Sequence, residues 1–243
     1  MAENLNDNEL ELNEKVPENA KESTISEQKS ERDTGGEKNK SKGLRAASYV
    51  AKIAMFSALS FILYLIRFPL PIFPSWLKLH FSDLAAVIAG FALGPLAGCI
   101  VAVVRVLLKL MIEGTDTVFV GEAADILIGL ALVLQAALVY KYNRTKRGAV
   151  VGLIAGGLTS VAAAIIANRF MLIPAYAVTY KEFGGMNAIV GMLAKLFPKV
   201  TAESFYDYYL WLAVAPFNAL RVIVITAVTF IVYKHISRLL GKF

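Results

Sequence analysis

The sequence predicts an all-α, polytopic membrane protein with six transmembrane helices and a disordered polar N-terminal tail. Apolar residues make up 57% of the 243 residues and the mean hydropathy is +0.57, well above a typical soluble domain. Long apolar runs recur after residue 46 and are separated by Pro, Gly or charges. Charge is segregated as well, with 11 acidic and 8 basic residues over 1–45 but 8 acidic and 17 basic residues over 46–243.

The first 45 residues have the composition of a solvated segment. They contain no aromatic residue and no apolar periodicity. Such a segment buries too little surface to offset the entropy lost on ordering, so we predict disorder over 1–45 and a membrane domain over 46–243. The first hydrophobic stretch starts near residue 47, after a long polar lead, which predicts a retained membrane helix rather than a cleaved signal peptide.

Hydropathy divides the membrane domain into six helices. The predicted ranges are 47–66, 82–93, 95–112, 119–141, 148–176 and 206–236. The second is only about 18 Å long at 1.5 Å per residue, whereas the hydrocarbon core is about 30 Å thick. It must therefore be tilted or shielded by protein.

The positive-inside rule predicts the orientation. Six crossings from a cytoplasmic N-terminus place three basic clusters in the cytoplasm: Lys38, Lys40, Lys42, Arg45 and Lys52; Lys141, Arg144, Lys146 and Arg147; and Lys234, Arg238 and Lys242. The protein is then a multi-pass protein of the cell membrane with both termini cytoplasmic. Its outer segments are 67–81, 113–118 and 177–205.

Several function classes are excluded by what the sequence lacks. The basic residues form no continuous stripe for nucleic acid, and the lone Cys99 excludes an intrachain disulfide or a cysteine metal site. There is no phosphate-binding Gly-Lys-Ser/Thr motif and no nucleophile paired with a base. We therefore predict no enzyme, no bound metal and no cofactor, and we interpret Gly156-Gly157 as a site of close helix packing.

A stripe of small residues follows the first helix. Ala47, Ala51, Ala54 and Ala58 are spaced by four, three and four, which places them on one helix face. Small residues let helices approach closely in lipid. The stripe is either an internal helix contact or a docking face for another membrane subunit.

Polar residues inside the apolar segments predict an outward-facing polar zone, since each is costly in hydrocarbon. They are Arg105, Lys109, Glu122, Asp125, Asn168, Arg169, Asn218 and Arg221. One interpretation is that Arg105 or Lys109 neutralises Glu122 or Asp125 within the bundle. The two amides instead offer a donor and an acceptor together, which suits the edge of a heterocycle.

The first outer segment is rich in proline and aromatic residues. Three prolines and four aromatic residues occur between Arg67 and Asp83. Prolines restrict the backbone and aromatic rings offer flat apolar surface, so this segment is a candidate cap over a ligand pocket. The alternative is an aromatic belt at the membrane interface.

Taken together, these motifs resemble the riboflavin-specific S component of energy-coupling factor (ECF) vitamin transporters over essentially all of 46–243. They are Phe-Pro-Leu-Pro at 68–71, Phe-Pro-x-x-Leu-Lys-x-x-Phe-Ser-Asp at 73–83, Gly-Phe-Ala-Leu-Gly-Pro-Leu-Ala-Gly at 90–98, Gly-Thr at 114–115, Gly-Glu at 121–122, Asn168 with Pro174 and Tyr176, and Pro-Phe-Asn at 216–218.

The resemblance implies a six-helix protein that captures a vitamin from outside and delivers it with a transmembrane coupling subunit and two ATPases, which consume the ATP. It implies that the alanine stripe contacts the coupling subunit and that Asn168 and Asn218 hydrogen-bond the flavin. Arg221 stands where the family usually has lysine. With the polar zone, the predicted substrate-binding residues are Leu77, Lys78, Leu79, Phe81, Arg105, Glu122, Asp125, Asn168, Asn218 and Arg221.

Several positions depart from the family pattern. They are Arg67 for Glu, His80 for Asp, Arg105 for Lys, Lys109 for His, Asp125 for Asn and Arg169 for an aromatic residue. Two carboxylates are lost and cations are gained, so FMN or another anionic vitamin is an alternative to riboflavin. A stand-alone secondary transporter, and a membrane-embedded enzyme using Glu122 and Asp125, also remain open.

Overall fold

The computed structural model of the chain describes residues 18–115 and 118–240, with side chains described over 42–115, 118–182 and 184–231. The chain divides into two units, residues 1–50 and 51–243. Within the described residues the second unit is a helical bundle with one short β-hairpin.

Nine α-helices and two strands follow one another along the described chain. They are α1 (Glu18–Leu65), β1 (Arg67–Pro69), β2 (Lys78–His80), α2 (Ser82–Leu93), α3 (Pro95–Glu113), α4 (Val120–Tyr142), α5 (Lys146–Ala167), α6 (Ile173–Thr179), α7 (Gly185–Ala194), α8 (Phe205–Tyr208) and α9 (Ala215–Leu240). A π-helical segment, Asn168–Leu172, joins α5 to α6, and a second, Tyr209–Val214, joins α8 to α9.

Five helices in the described residues are long and apolar enough to cross a membrane. Their spans are Lys42–Leu65, Pro95–Glu113, Val120–Tyr142, Lys146–Thr179 and Phe205–Ile231. The remaining predicted helix is α2, whose bounds equal the predicted 82–93. Nine of its twelve residues are buried, so neighbouring helices shield it as its short length requires.

The N-terminal segment differs from the prediction of disorder. Residues 1–17 lie outside the described residues, but residues 18–45 continue α1 as helix. The Glu, Lys, Ala, Gln and Arg residues of this segment have high helix propensity. Because the membrane-spanning part of α1 already supplies a helical nucleus, extending the helix avoids the cost of nucleation.

The predicted outer segment 177–205 is also more ordered than expected. It contains the end of α6, a 3-10 turn at Lys181–Phe183 and the apolar helix α7. Ile189 and Leu193 of α7 are buried against the bundle. Residues 116–117 of the predicted outer segment 113–118 lie outside the described residues, as do residues 241–243.

Glycines bring the central helices into close contact, as predicted for Gly156-Gly157. A Cβ at Gly156 would collide with the carbonyl oxygen of Leu132 in α4, and one at Gly157 would collide with Val222 in α9. Helix α5 therefore packs closely against both α4 and α9. The resulting core of small and branched residues holds the helix ends that carry the functional site.

The predicted cap over 67–81 contains a hairpin. Strands β1 and β2 pair antiparallel, with Arg67 opposite His80 and Pro69 opposite Lys78. Between them, the turn packs Phe73 edge-on against Phe217 of α9, with ring centroids 5.4 Å apart. We call the end of the bundle at which this hairpin lies the hairpin end.

Candidate functional site

A cavity of about 640 Å³ lies at the hairpin end. The hairpin and the ends of α1, α3, α4 and α9 surround it, together with α6, α7 and the first π-helical segment. Its apolar lining consists of Trp76, Leu77, Val106, Ala124, Ile128, Leu172, Ala188, Ile189, Met192 and Phe217. A largely apolar wall with a few polar groups is typical of a small-molecule site.

A chain of hydrogen bonds ties the hairpin turn to both π-helical segments. The indole N–H of Trp76 donates to the hydroxyl of Tyr209 over 3.0 Å, and that hydroxyl donates to Oδ1 of Asn168 over 2.6 Å. Nδ2 of Asn168 donates in turn to the carbonyl oxygen of Ala164 over 2.8 Å. The chain fixes the orientation of Asn168 and leaves one of its amide hydrogens for a ligand.

Asn218 presents the opposite group. Its Nδ2 donates to the carbonyl oxygen of Val214 over 2.9 Å, whereas its Oδ1 is buried without a hydrogen-bond partner among the described residues. A buried acceptor left unsatisfied costs about 1–3 kcal/mol. Asn218 lines the cavity, so a ligand N–H or O–H is the natural partner of Oδ1.

Four charged side chains form a cluster at one wall of the cavity, which we call the four-charge cluster: Asp83, Arg105, Asp125 and Arg221. Nη1 of Arg105 donates to Oδ1 of Asp83 over 2.7 Å, and Arg221 forms an ion pair with the other oxygen of Asp83. Nη2 of Arg105 lies 3.1 Å from Asp125 Oδ2, and Nη2 of Arg221 lies 3.5 Å from Asp125 Oδ1. Two guanidiniums thus balance two carboxylates.

The other charged groups near the cavity are mostly paired. Lys109 forms an ion pair with Glu122 and donates to the carbonyl oxygen of Gly114. Arg67 lies 2.8 Å from Glu113. Lys78 lines the cavity, is exposed, and forms no ion pair with the described residues.

His80 is a buried ring beside the four-charge cluster. Its Nδ1 lies 2.9 Å from the hydroxyl of Ser82, and its ring centroid lies 4.9 Å from that of Tyr64. Burial, followed by the neighbouring Arg221 guanidinium, lowers the pKa of His80 from 6.5 to about 4. The ring is therefore neutral at physiological pH.

Helix α7 covers part of the cavity. Ala188, Ile189 and Met192 contribute to the lining. The helix begins at Gly185, directly after Gly184, and the φ values of Gly184 and Gly185 are 101° and 54°. Such left-handed conformations favour glycine, and they turn the chain sharply so that α7 folds back over the cavity.

Seven of the ten predicted binding residues line the cavity: Leu77, Lys78, Glu122, Asp125, Asn168, Asn218 and Arg221. The structure places Leu79, Phe81 and Arg105 outside the lining. Leu79 alternates with Lys78 and His80 along β2, so its side chain points into the apolar core. Phe81 is half-buried next to α2, and Arg105 is fully buried behind Asp83 and Asp125.

The predicted set omitted several lining residues. They include Tyr64, Arg67, Trp76, His80, Lys109, Tyr176, Tyr180, Ile189, Met192 and Phe217. Tyr176 and Phe217 belong to motifs noted in the sequence, and the β-alternation between Lys78 and His80 would have indicated His80. Ile189 and Met192 carried no such signal, since their segment was interpreted as a loop. No group of three potential metal ligands occurs in the described residues.

The fold and cavity define a membrane-embedded binding protein, with a ligand-sized site partly covered by a hairpin and a short helix. The family model "ECF transporter, substrate-specific component" matches residues 48–233, so the chain belongs to the ECF transporter S components. This membership makes it a transporter subunit and not an enzyme, and it confirms the resemblance and the helical membrane fold.

Similarity to known proteins agrees with this family assignment. The chain is 32% identical over 190 residues to "Riboflavin transporter RibU" of Staphylococcus aureus, covering 78% of this chain and 90% of that protein. It is 34% identical over 125 residues to "Riboflavin transporter FmnP" of Bacillus subtilis, covering 51% and 66%. A structure titled "Structure and mechanism of the S component of a bacterial ECF transporter" matches with a TM-score of 0.60 at 30% identity, covering 80% of this chain and 98% of that one.

Proposed function

We propose that this chain captures riboflavin, or a related flavin such as FMN, from outside the cell for ATP-driven uptake. The observation that carries the proposal is the cavity with its two buried amides, in a chain whose relatives are named riboflavin transporters. At about 640 Å³ the cavity falls within the range of about 300–1,000 Å³ that small-molecule sites occupy.

The amides match the polar edge of a flavin. Asn218 offers an acceptor through Oδ1, and Asn168 retains an amide hydrogen as a donor. The pyrimidine-like ring of a flavin carries an imide N–H between two carbonyl oxygens, which needs an acceptor and a donor. Trp76 and Phe217 add flat apolar surface for the remainder of the ring system.

The charge balance favours an uncharged ligand. The sequence suggested an anionic ligand because carboxylates are lost and cations are gained, and because a guanidinium can bind phosphate or carboxylate. At this wall, however, the guanidiniums of Arg105 and Arg221 are both engaged by Asp83 and Asp125. An anion at this wall would compete with those carboxylates. Lys78 at the rim is the one lining cation for which the described residues supply no carboxylate, so it supports FMN, with its phosphate outside the cavity, as the second candidate.

Transfer of the bound flavin into the cell requires partner subunits, and the exposure of the alanine stripe supports the docking of such a partner. Ala51, Ala54 and Ala58 of the second unit are exposed, while Ser57 and Ser60 of the same helix are buried. An exposed stripe of small residues suits close docking of another membrane helix. We propose that the stripe, with Ala47, docks a coupling subunit that works with two ATPases, and that no cofactor is bound.

The orientation follows the basic clusters. We propose that both termini are cytoplasmic, which puts the hairpin end on the outer side. Exposed basic residues Lys141, Arg144, Lys146 and Arg147 at the junction of α4 and α5 support this assignment. The cavity then opens toward the side from which the vitamin arrives.

The test is a titration of the full-length chain in detergent with riboflavin and FMN, followed by quenching of flavin fluorescence. We expect saturable riboflavin binding that weakens about 10–100-fold in Asn218→Ala, since one hydrogen bond to a buried group is lost. Asn187→Ala is the matched control, because Asn187 is an exposed amide of α7 outside the lining. Absence of riboflavin and FMN binding would refute the flavin assignment.

A cellular measurement separates an S component from a stand-alone carrier. Uptake of labelled riboflavin should require co-expression of the coupling subunit and both ATPases. Uptake by this chain alone would indicate a secondary transporter.

A further inference from the structure

The tautomer of His80 follows from its neighbour Ser82. The Ser82 hydroxyl oxygen accepts a hydrogen bond from Arg105, and Ser82 is fully buried. Its hydroxyl hydrogen needs an acceptor, and Nδ1 of His80 at 2.9 Å is the group within reach that can accept it. Since Nδ1 is the acceptor, the proton of the neutral imidazole sits on Nε2.

The Nε2–H of His80 is left without a partner among the described residues. Asp125 Oδ1 is the nearest carboxylate oxygen, at 3.8 Å, beyond the limit of about 3.2 Å for an N–H···O hydrogen bond. His80 is only 7% exposed, yet both it and Asp125 line the cavity. A buried donor and a carboxylate acceptor thus face the same space, separated by a gap.

One hydroxyl group on the cavity side can bridge the two atoms. Because they lie 3.8 Å apart, an oxygen at the apex of a triangle can be about 2.8 Å from each of them. A hydroxyl oxygen accepts from Nε2 while its hydrogen is donated to Asp125. A carbonyl oxygen would repel the carboxylate, and an amino group would direct a hydrogen at the His80 N–H.

We propose that His80 and Asp125 form a hydroxyl-reading pair, in which His80 donates to and Asp125 accepts from a hydroxyl on the side chain of the transported molecule. This inference rests on the proposed function. Beyond the flavin ring system, the cavity would then recognise a polyol chain. Because His80 is neutral, it adds no charge beside the four-charge cluster, whose charges already balance. An uncharged hydroxyl therefore fits there better than an anion.

The experiment compares riboflavin with lumiflavin, which has the same ring but a methyl group in place of the polyol chain. Fluorescence titrations use the full-length wild type, His80→Asn and His80→Gln. The asparagine amide reaches the position of Nδ1 and retains the contact with Ser82, but it lacks the Nε2 donor. The glutamine amide reaches the position of Nε2 and restores that donor.

We expect the wild type to bind riboflavin more tightly than lumiflavin. His80→Asn should lose about tenfold of its riboflavin affinity, while its lumiflavin affinity is unchanged. His80→Gln should regain most of the preference for riboflavin. Equal losses for both ligands in His80→Asn, or no loss for either, would overturn the pair while leaving the flavin assignment intact. Failure of the wild type to bind either flavin would overturn both. If His80→Asn does not fold, loss of the preference in a folded His80→Gln overturns the pair.

Discussion

Replacing Arg105 by methionine removes one of the two guanidiniums that neutralise the four-charge cluster. Arg105 is fully buried, lies 2.7 Å from Asp83 and 3.1 Å from Asp125, and also donates to Ser82. In Arg105→Met, Arg221 alone faces both carboxylates, so one buried negative charge is uncompensated. Methionine fills much of the volume of the arginine side chain, so little stability is lost through an empty cavity.

The magnitude follows from breaking a buried ion pair by removing one partner, which costs about 3–5 kcal/mol. At about 2–4 °C per kcal/mol for a domain of this size, the melting temperature falls by about 6–20 °C. Thermal unfolding of the detergent-solubilised chain, followed by circular dichroism, measures this shift. Lys78→Met is the matched control, since Lys78 is exposed and should shift the melting temperature by no more than about 2 °C.

A second variant separates charge from packing. Adding Asp125→Asn to Arg105→Met removes the excess carboxylate and leaves the pair of Arg221 with Asp83 intact. We expect the double variant to melt above Arg105→Met. A single variant that melts like the wild type, or a double variant whose losses simply add, would refute the view that charge balance stabilises this wall.

Three further predictions test other parts of the molecule. Ala54→Leu should leave flavin binding and melting unchanged but reduce co-purification with the coupling subunit and uptake, because Ala54 is exposed on the proposed docking stripe; unchanged co-purification would contradict that stripe. The pKa of His80 is about 4 when folded and 6.5 when unfolded, so the unfolded state binds the extra proton first and unfolding free energy falls by about 3 kcal/mol from pH 6.5 to 4. Denaturant titrations between pH 6.5 and 4 should show that the unfolding free energy of His80→Asn falls by about 3 kcal/mol less than that of the wild type. If the unfolding free energies of the two proteins fall in parallel with pH, the prediction is contradicted. Tyr209→Phe removes the hydroxyl that joins Trp76 to Asn168 and should lower stability by about 1–3 kcal/mol and weaken flavin binding; a variant matching the wild type in both would show that the hydroxyl is dispensable.

Hydropathy predicted the helices well because lipid imposes length and composition on any helix that crosses it. Helix α2 was found with its observed bounds because proline and charge mark both ends. Helix α7 was missed because a ten-residue, mostly apolar segment that follows Gly184 and begins at Gly185 is too short to meet a membrane criterion and resembles a loop. The π-helical segments had no sequence signal, since they extend adjoining helices without a change in composition.

The polar zone was predicted, and so was the pairing of Arg105 or Lys109 with Glu122 or Asp125, which the structure shows as Arg105 with Asp125 and Lys109 with Glu122. The part that Asp83 plays was not predicted. Asp83 appeared only as the end of a loop motif, yet it receives ion pairs from both Arg105 and Arg221, the latter 138 positions away. A pairing between helices so far apart in the sequence depends on how the helices rotate about their axes, which a single sequence does not specify. The unpartnered atoms, Oδ1 of Asn218 and Nε2 of His80, likewise become visible only after every neighbour is placed.

The departures from the family pattern acquire meaning through these contacts. Taken singly, the lost carboxylates and the gained cations suggested a shift toward anionic ligands. In the structure Arg105 contacts Asp125, itself a departure, and His80 lies 3.8 Å from that same carboxylate. Because these three departures are neighbours whose charges and hydrogen bonds complement one another, they change which polar atoms face the cavity without adding net charge at that wall. We therefore expect this chain to differ from its relatives in how it recognises the hydroxyl groups on the side chain of the vitamin, and not in the charge of the vitamin that it binds.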